Sequence, residues 1–493
     1  MSIVSQLVER PERALWTLIA AQFAFWTLAP LLSHSAPPLD VVEMYAWGRE
    51  GVVATFKHPN LPGLVLEGLR RITGIAGWPA YVVSQIFICT TFWAVFALGR
   101  ELMDERRALA GVLMLTGIYF FSWTTPELNH NVTQMPLWAL IALFLWRAGT
   151  HGGLLNWLLL GLFAGLSLWA KYSSAMLLAP AALWLLWDGE ARKRLLTPGP
   201  WLALLVFIGV AAPQALWLIE HDFQPFSYAS RRSGDGGPLA ALEFVLTEIA
   251  NHLPLIILIW AAGFFGKPAD GAPAKPEQRA LRHLLLIGLG PVVLTVLAGI
   301  FGAGLRASWG MPMFNLSGLI IVALLSNKLS AARLGRLAWG AGVLIVLVSG
   351  LYFAHMRYGA AITNDPLRGN WPQVSVSRAL EEAWAEETGG APLRIVAGDI
   401  WTAGLVGMGD RDPPSVYING DASISPWITD EKLSRNGALF VWQEGANPPN
   451  APAAPPLPVD GRVTIRFQNF PNSPPLRLQY HVLPPGPPSP PPS

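Results

Sequence analysis

Charge is scarce in this 493-residue chain. Asp, Glu, Lys and Arg make up 13% of it, against about 25% in a typical soluble domain. Hydrophobic residues reach 52%. That balance excludes an ordinary soluble globule and puts the chain in the membrane class. The net charge of +2 averages over loops that face opposite compartments. No stripe of Lys and Arg resembles a nucleic-acid footprint, so no nucleic acid is expected as a partner. One cysteine, Cys89, lies in an apolar run. It excludes an intramolecular disulfide and a cysteine-based metal cluster, and reads as a small packing residue. There is also no internal repeat, P-loop, G-x-G-x-x-G, H-E-x-x-H or G-x-S-x-G.

Long apolar runs are abundant instead. A spanning helix needs roughly 20 mostly apolar residues, and about eleven candidates occur: 14–32, 79–99, 107–122, 133–148, 153–170, 172–188, 200–219, 251–266, 281–302, 308–326 and 335–354. The first is longer than a signal-peptide core and no cleavage site follows it closely, so it reads as a span. Trp16, Trp78, Trp123 and Trp309 lie at ends of such runs, where indoles favour the headgroup region. About sixteen basic residues collect in alternate connections and about eight in the others. The bias predicts an N-terminus on the cytoplasmic side. The external connections are then 33–78, 123–132, a tight corner near 171, 220–250, 303–307 and everything after about 355.

The expected fold is therefore a polytopic α-helical membrane protein with a small C-terminal α/β domain. Its units are 1–355 for the membrane part, 356–485 for a soluble external domain and 486–493 for a disordered Pro-rich tail. In the second unit, 378–388 reads as an amphipathic helix, and 393–397, 415–418, 438–442, 463–468 and 476–483 read as strands separated by Gly, Pro, Asn and Asp clusters. The stretches 446–458 and 471–493 are rich in proline and poor in residues that could fold them.

The first external loop is the longest and reads LDVVEMYAWGREGVVATFKHPNLPG from Leu39. Its segments 40–55 and 61–72 are candidate helices along the membrane surface. A helix over 40–55 places Asp40 and Glu43 on one face. Such a pair suits a general base, one carboxylate taking a proton while the other orients it or tunes its pKa. Asp40 could instead cap the helix after Pro37-Pro38. Lys57 opposes the positive-inside bias, which suggests a lipid phosphate partner or snorkelling to headgroups. Glu127, Asn129, His130, Asn131 and Gln134 form a polar cluster in or near the second external loop.

The order D-x-x-E-x-Y, then K-H-P-x-L-P, after one span resembles the GT-C superfamily of integral-membrane glycosyltransferases. More narrowly, it is similar to bacterial relatives of the protein O-mannosyltransferases and the lipid A aminoarabinose transferase. PELNHNVTQMPLW at 126–138, GLSLWAKYSS at 165–174 and RASWGMPMFN at 306–315 fit the same pattern, and the resemblance covers 14–355. GDIWTAGLV and SPWI, near the C-terminus, resemble the external domain of some members. The family's acidic pair is adjacent, whereas here it is spaced, which leaves open which carboxylate is the base.

The resemblance implies an inverting transferase at the periplasmic face of a bacterial inner membrane. Its donor would be a polyprenyl-phosphate sugar and its acceptor an envelope lipid or glycan, such as lipopolysaccharide or lipid A, or a protein. Asp40 and Glu43 would activate the acceptor. Lys57, Lys171, Arg231, Arg232 and Arg306 would stabilise the donor phosphate as charge develops. Tyr45, His58, Asn129, His130 and Asn131 would line the donor or acceptor path. No cofactor is expected, with a divalent metal left open because the external loops are rich in carboxylates. The alternative is a transporter or flippase of lipid-linked sugars, although such proteins often show repeats and midplane charges that are not evident here. A non-catalytic envelope scaffold is a third reading, which the external Asp40, Glu43 and Lys57 speak against.

Overall fold

The computed structural model describes residues 9–269, 276–409, 412–450 and 457–486. The expected disordered tail at 486–493 lies, apart from Gly486, outside the described residues, as does 451–456 of the earlier proline-rich stretch.

Six helices among the described residues are long and apolar enough to cross a membrane: Pro11–Ser33, Pro79–Leu102, Pro198–Glu220, Pro238–Ala261, Gln278–Ile300 and Ala331–Thr363. A seventh candidate is the pair Ala307–Phe314 and Ser317–Leu324, bent by 58°. The helices carry apolar faces that no protein covers. Pro198–Glu220 buries only Gly199, Ala211 and Gln214 while leaving Trp201, Leu205, Ile208, Leu216 and Ile219 exposed. Exposed apolar faces of this extent suit contact with lipid rather than water.

The other expected spans are built differently. His130–His151 is a 22-residue interior helix, buried over nearly its whole length. Glu105–Leu115, Leu154–Ala170 and Ala175–Trp187 have only 11, 17 and 13 residues. At 1.5 Å per residue, even 17 residues reach only about 25 Å. The expected span 251–266 is displaced, because its helix already starts at Pro238 and is interrupted only at His252. Glu243 and Glu248 lie in its first half and break the apolar run on which the sequence reading relied. Much of the expected loop 220–250 is thus helical, as Gln224–Ser233 and the first turns of this helix.

Small residues let the helices around the site approach closely. A Cβ on Gly161 would lie 2.2 Å from the Ala203 carbonyl, and one on Gly48 2.2 Å from that of Gly63. The Gly48 contact joins Leu39–Glu50 to Leu61–Thr73, the two short helices of the first long connection.

After Thr363 the chain forms an α/β unit. Gln373–Thr388 is a helix, longer at its start than expected. Five strands follow: β1 Ile395–Gly398, β2 Ser415–Ile418, β3 Ala438–Gln443, β4 Gly461–Ile465 and β5 Leu476–Leu483, in the order β2-β1-β3-β5-β4. β1 runs parallel to β2 and β3, whereas β5 is antiparallel to β3 and β4. β4 starts two residues before its expected position, its register set by pairing with β5. The short helix Thr402–Val406 packs against Leu39–Glu50, where a Cβ on Gly404 would meet Val42 Cγ1 at 2.4 Å. Arg49 reaches Asp412 at 3.3 Å across the same junction.

Candidate active site

Pro37 and Pro38 lead into the Leu39–Glu50 helix, and Gly51, at φ +65°, ends it in the left-handed conformation that suits glycine. The N-cap position falls on Pro38 and carries no side-chain capping bond, so Asp40 is not the cap. Asp40 lies in the first turn and Glu43 one turn later on the same face, with Trp47 beyond it. Tyr45 points the other way. It is buried near the Glu67–Arg70 ion pair, so the fold does not bring it to the acidic face.

Lys57 and His58 sit at the tip of a tight hairpin. Thr55 N–H donates to the His58 carbonyl at 2.9 Å, and Thr55 Oγ1 accepts from the backbone N–H of Lys57 and of His58, each at 3.3 Å. Asn60 Nδ2 donates to the carbonyls of Trp47 and Val52 at 3.1 and 2.8 Å, which ties the hairpin to the helix. This places Lys57 Nζ 2.7 Å from Glu43 Oε2. The ammonium also lies 5.8 Å from the Trp47 ring and 5.9 Å from the Tyr228 ring, both within cation–π range.

The Asp40 carboxylate makes no hydrogen bond or ion pair among the described residues, in contrast to Glu43. Burial pushes Glu43 up to about 7; Lys57 opposes this and Asp40 adds to it. Lys57 is shifted upward overall, because Glu43 and Asp40 outweigh its own burial. Glu127, in the connection just before His130–His151, is also pushed up to about 7, by burial first and then by Asp40.

His130 opens the interior helix and Asn129 caps it, the Asn129 Oδ1 accepting from the N–H groups of Asn131 and Val132 at 2.9 and 3.0 Å. Asn129 thus has a structural task. The His130 Nε2 pairs with the Pro59 carbonyl at 3.0 Å, and the His58 ring lies 4.4 Å from the His130 ring. Burial, then His130, Lys171 and Lys57, hold His58 well below the usual range, so it is a neutral imidazole.

Lys171 occupies the expected tight corner, in extended backbone between Leu154–Ala170 and a short 3₁₀ turn. Its Nζ donates to Asn131 Oδ1 at 2.7 Å and lies 5.5 Å from the Trp309 ring. Gln134 Nε2 braces the corner by donating to Ser174 Oγ at 2.9 Å. Burial pushes Lys171 down to about 7; Asp40 opposes this, whereas Lys57 and Arg306 add to it. Arg306 is exposed and paired with no carboxylate among the described residues. Arg231 and Arg232 are exposed one turn beyond Tyr228 on Gln224–Ser233. Their helix reaches the cluster through Tyr228, but among the described residues no contact draws the two guanidinium groups in.

The fold therefore gathers Asp40, Glu43, Lys57, His58, His130, Asn131 and Lys171 in one place, with Glu127 and Arg306 at its edge. Trp47, Asn60, Tyr228 and Trp309 also belong to it; the first three carry no sequence signal beyond their nearness to named residues, and the sequence marks Trp309 only as a tryptophan at the end of an apolar run. Among the described residues, no group of three or more His, Cys, Asp or Glu side chains could hold a metal ion.

The chain is similar to several known proteins. Residues 57–217 match the family model described as dolichyl-phosphate-mannose-protein mannosyltransferase. The chain is 23% identical over 456 residues to the lipopolysaccharide core galacturonosyltransferase RgtA of Rhizobium johnstonii, covering 89% of this chain and 88% of the relative. It is 23% identical over 448 residues to RgtB of the same organism, covering 87% and 86%. The crystal structure of ArnT from Cupriavidus metallidurans bound to undecaprenyl phosphate superposes with a TM-score of 0.60 at 13% identity, over 94% of this chain and 97% of that one. Its apo state gives 0.59. Fold, family model and near full-length relatives together bear out the resemblance of the chain to the GT-C superfamily of integral-membrane glycosyltransferases.

Proposed function

We propose that this protein transfers a sugar from a polyprenyl-phosphate donor to an envelope acceptor at the periplasmic face of a bacterial inner membrane. The acceptor is a glycan of the lipopolysaccharide core type, as the names of the two relatives suggest. The basic-residue bias supports the sidedness, with the membrane part in 1–355 and the α/β unit, 356–485, outside.

The observation that carries the reading is the unpaired Asp40 carboxylate within electrostatic reach of half-buried Lys57 and buried Lys171. Asp40 takes the proton of the acceptor hydroxyl, whose oxygen attacks the anomeric carbon. The bond from that carbon to the lipid phosphate breaks, and the electron pair leaves with the phosphate. Attack from the opposite side inverts the centre. Lys57 and Lys171, with Arg306 at the edge, stabilise the departing phosphate where its charge develops. Glu43 holds Lys57 in position and is less available as the base.

An apolar groove of about 570 Å³ suits the lipid chain, lined by Leu168, Tyr172, Phe207, Ala211, Gln214 and Phe226 among others. Tyr172 Oη donates to Gln214 Oε1 at 2.8 Å, and Gln214 Nε2 donates to the Val53 carbonyl at 2.9 Å. The groove is thereby tied to the hairpin that carries Lys57.

The test compares wild type with Asp40→Asn in detergent. Each receives a polyprenyl-phosphate sugar pool and lipopolysaccharide, and transfer is followed by mass spectrometry. Loss of a general base typically costs about 10²–10⁴-fold, so the variant should fold and fall by that amount. Equal transfer by both would move the base elsewhere. Translocation of the donor across proteoliposomes without transfer would replace the reading with a flippase.

A further inference from the structure

A second cluster of aromatic and polar side chains lies in the α/β unit. The carboxyl ends of β2, β1 and β3 open on a cavity of about 510 Å³ lined by Trp371, Trp401 and Trp442. Small-molecule sites span about 300–1,000 Å³, with aromatic walls and a few placed polar groups. Here the polar groups include Arg368, Asp399, Asn419 and Gln443. Their convergence follows from topology, since Asp399 and Trp401 follow β1, Asn419 follows β2, and Trp442 and Gln443 end β3. Ligands of open α/β sheets bind outside the carboxyl ends of parallel strands.

Several details mark a built site. Trp401 is 2% exposed, yet its indole N–H has no hydrogen-bond partner among the described residues. A buried indole N–H normally finds one. The Trp401 ring meets Trp371 edge to face at 5.6 Å, and the Arg368 guanidinium lies 5.8 Å from it. Asp399 Oδ1 accepts from the N–H groups of Trp401 and Thr402 at 3.0 and 3.1 Å, which fixes the turn and leaves its second oxygen for a ligand. Asn419 holds a left-handed backbone at φ 53°, a strained conformation of the kind that clusters at binding sites.

The Arg368 charge reaches Glu127, which in turn faces the Asp40 backbone N–H. The helix that follows the Trp401 turn seats Gly404 on Val42, two residues from Asp40. None of the residues lining the apolar groove lines this cavity.

We propose that this cavity binds the acceptor glycan, holding a core sugar beside the one that receives the new residue. The proposal rests on the transferase reading above. Trp371, Trp401 and Trp442, themselves nearly buried, form the apolar wall against the C–H groups of a pyranose ring. Asp399, Asn419 and Gln443 pair with its hydroxyls, and Arg368 pairs with the carboxylate or phosphate of an acidic core sugar.

The experiment uses full-length protein in detergent and, as probe, delipidated lipopolysaccharide core oligosaccharide, with binding read by calorimetry. Ala446→Trp fills the cavity from an exposed lining position, and Gln443→Ala removes a polar partner without adding bulk. Melting temperatures confirm folding. Both variants should bind the oligosaccharide at least ten-fold more weakly and raise the acceptor KM by a similar factor. The donor KM and the kcat at saturating acceptor should not change. Unchanged binding in both variants overturns the proposal, as does no binding by wild type. A rise in donor KM alone would assign the cavity to the donor and also overturn it. A wild type that binds the oligosaccharide but transfers nothing counts against the transferase reading, and an active enzyme indifferent to both substitutions counts against the cavity.

Discussion

Replacing Lys57 with Met removes the partner of a buried carboxylate and leaves Glu43 to titrate alone. In the wild type, burial has already raised Glu43 to about 7 despite Lys57. An acid whose folded pKa is raised gives its full stability below its unfolded pKa and loses it as pH rises through the folded value. Without Lys57 the folded value moves higher, so Glu43 stays protonated over a wider range while the wild type ionises it as a pair. Each pH unit in that range is worth about 1.4 kcal/mol. The deficit of Lys57→Met relative to wild type is therefore close to zero at pH 6. At pH 8.5, one and a half units above the wild-type value, it reaches about 2 kcal/mol. This lies below the about 3–5 kcal/mol typical of a broken buried pair, because protonation offers an escape and Lys57 keeps 19% of its side-chain exposure. At about 2–4 °C per kcal/mol for chains of about 150–250 residues, and less for longer ones, the melting gap stays within about 4–8 °C. Scanning both proteins in detergent between pH 6 and 8.5 measures it. A gap of the same size at every pH would refute the reasoning, since it would mean that Lys57 acts through packing and not through the Glu43 proton.

Three further outcomes follow from the geometry. Lys171 is pushed down to about 7 by burial, so its charge is present below that pH and lost above it. The donor KM should rise with pH above 7 in the wild type and be flatter, at a higher plateau, in Lys171→Met; parallel profiles would remove Lys171 from the phosphate site. A Cβ at position 48 would lie 2.2 Å from the Gly63 carbonyl oxygen, so Gly48→Ala must shift the helix that carries Asp40 and Glu43. It should cost about 1–3 kcal/mol and at least ten-fold in transfer, read by melting and by mass-spectrometric assay. Gly68, on the facing helix, has nothing within 4 Å of its would-be Cβ. Gly68→Ala should therefore gain about 0.5–1 kcal/mol from helix propensity with transfer unchanged, and a loss there would show that the helix tolerates no change at all.

Much of the architecture was legible because it depends on neighbouring residues. Apolar runs marked the helices, and alternation with Gly, Pro and Asn punctuation located the strands, four of them nearly at their observed bounds. The spacing of Asp40 and Glu43 put them on one helical face, as observed. The misreadings have local causes as well. Glu243 and Glu248 hid the start of the Pro238 helix. The D-x-x-E-x-Y pattern suggested a role for Tyr45, although helical geometry turns it away from the acidic pair. Asn129 carries a structural task that its place in the polar cluster did not reveal, since its amide oxygen caps a helix.

Residue order and composition by themselves determined that the chain crosses a membrane many times, that its long first connection carries the acid pair and that a small α/β unit follows. These are properties of consecutive residues, set by periodicity and by the cost of placing charge in lipid. Only the tertiary structure decided that Glu43 is held by Lys57 while Asp40 is left unpaired. It also decided that Lys171 arrives beside Asn131 and Trp309, and that Trp371, Trp401 and Trp442 share one cavity. Such encounters join segments far apart in the chain. They are set by which helices pack together and which strands pair, and no local pattern records them.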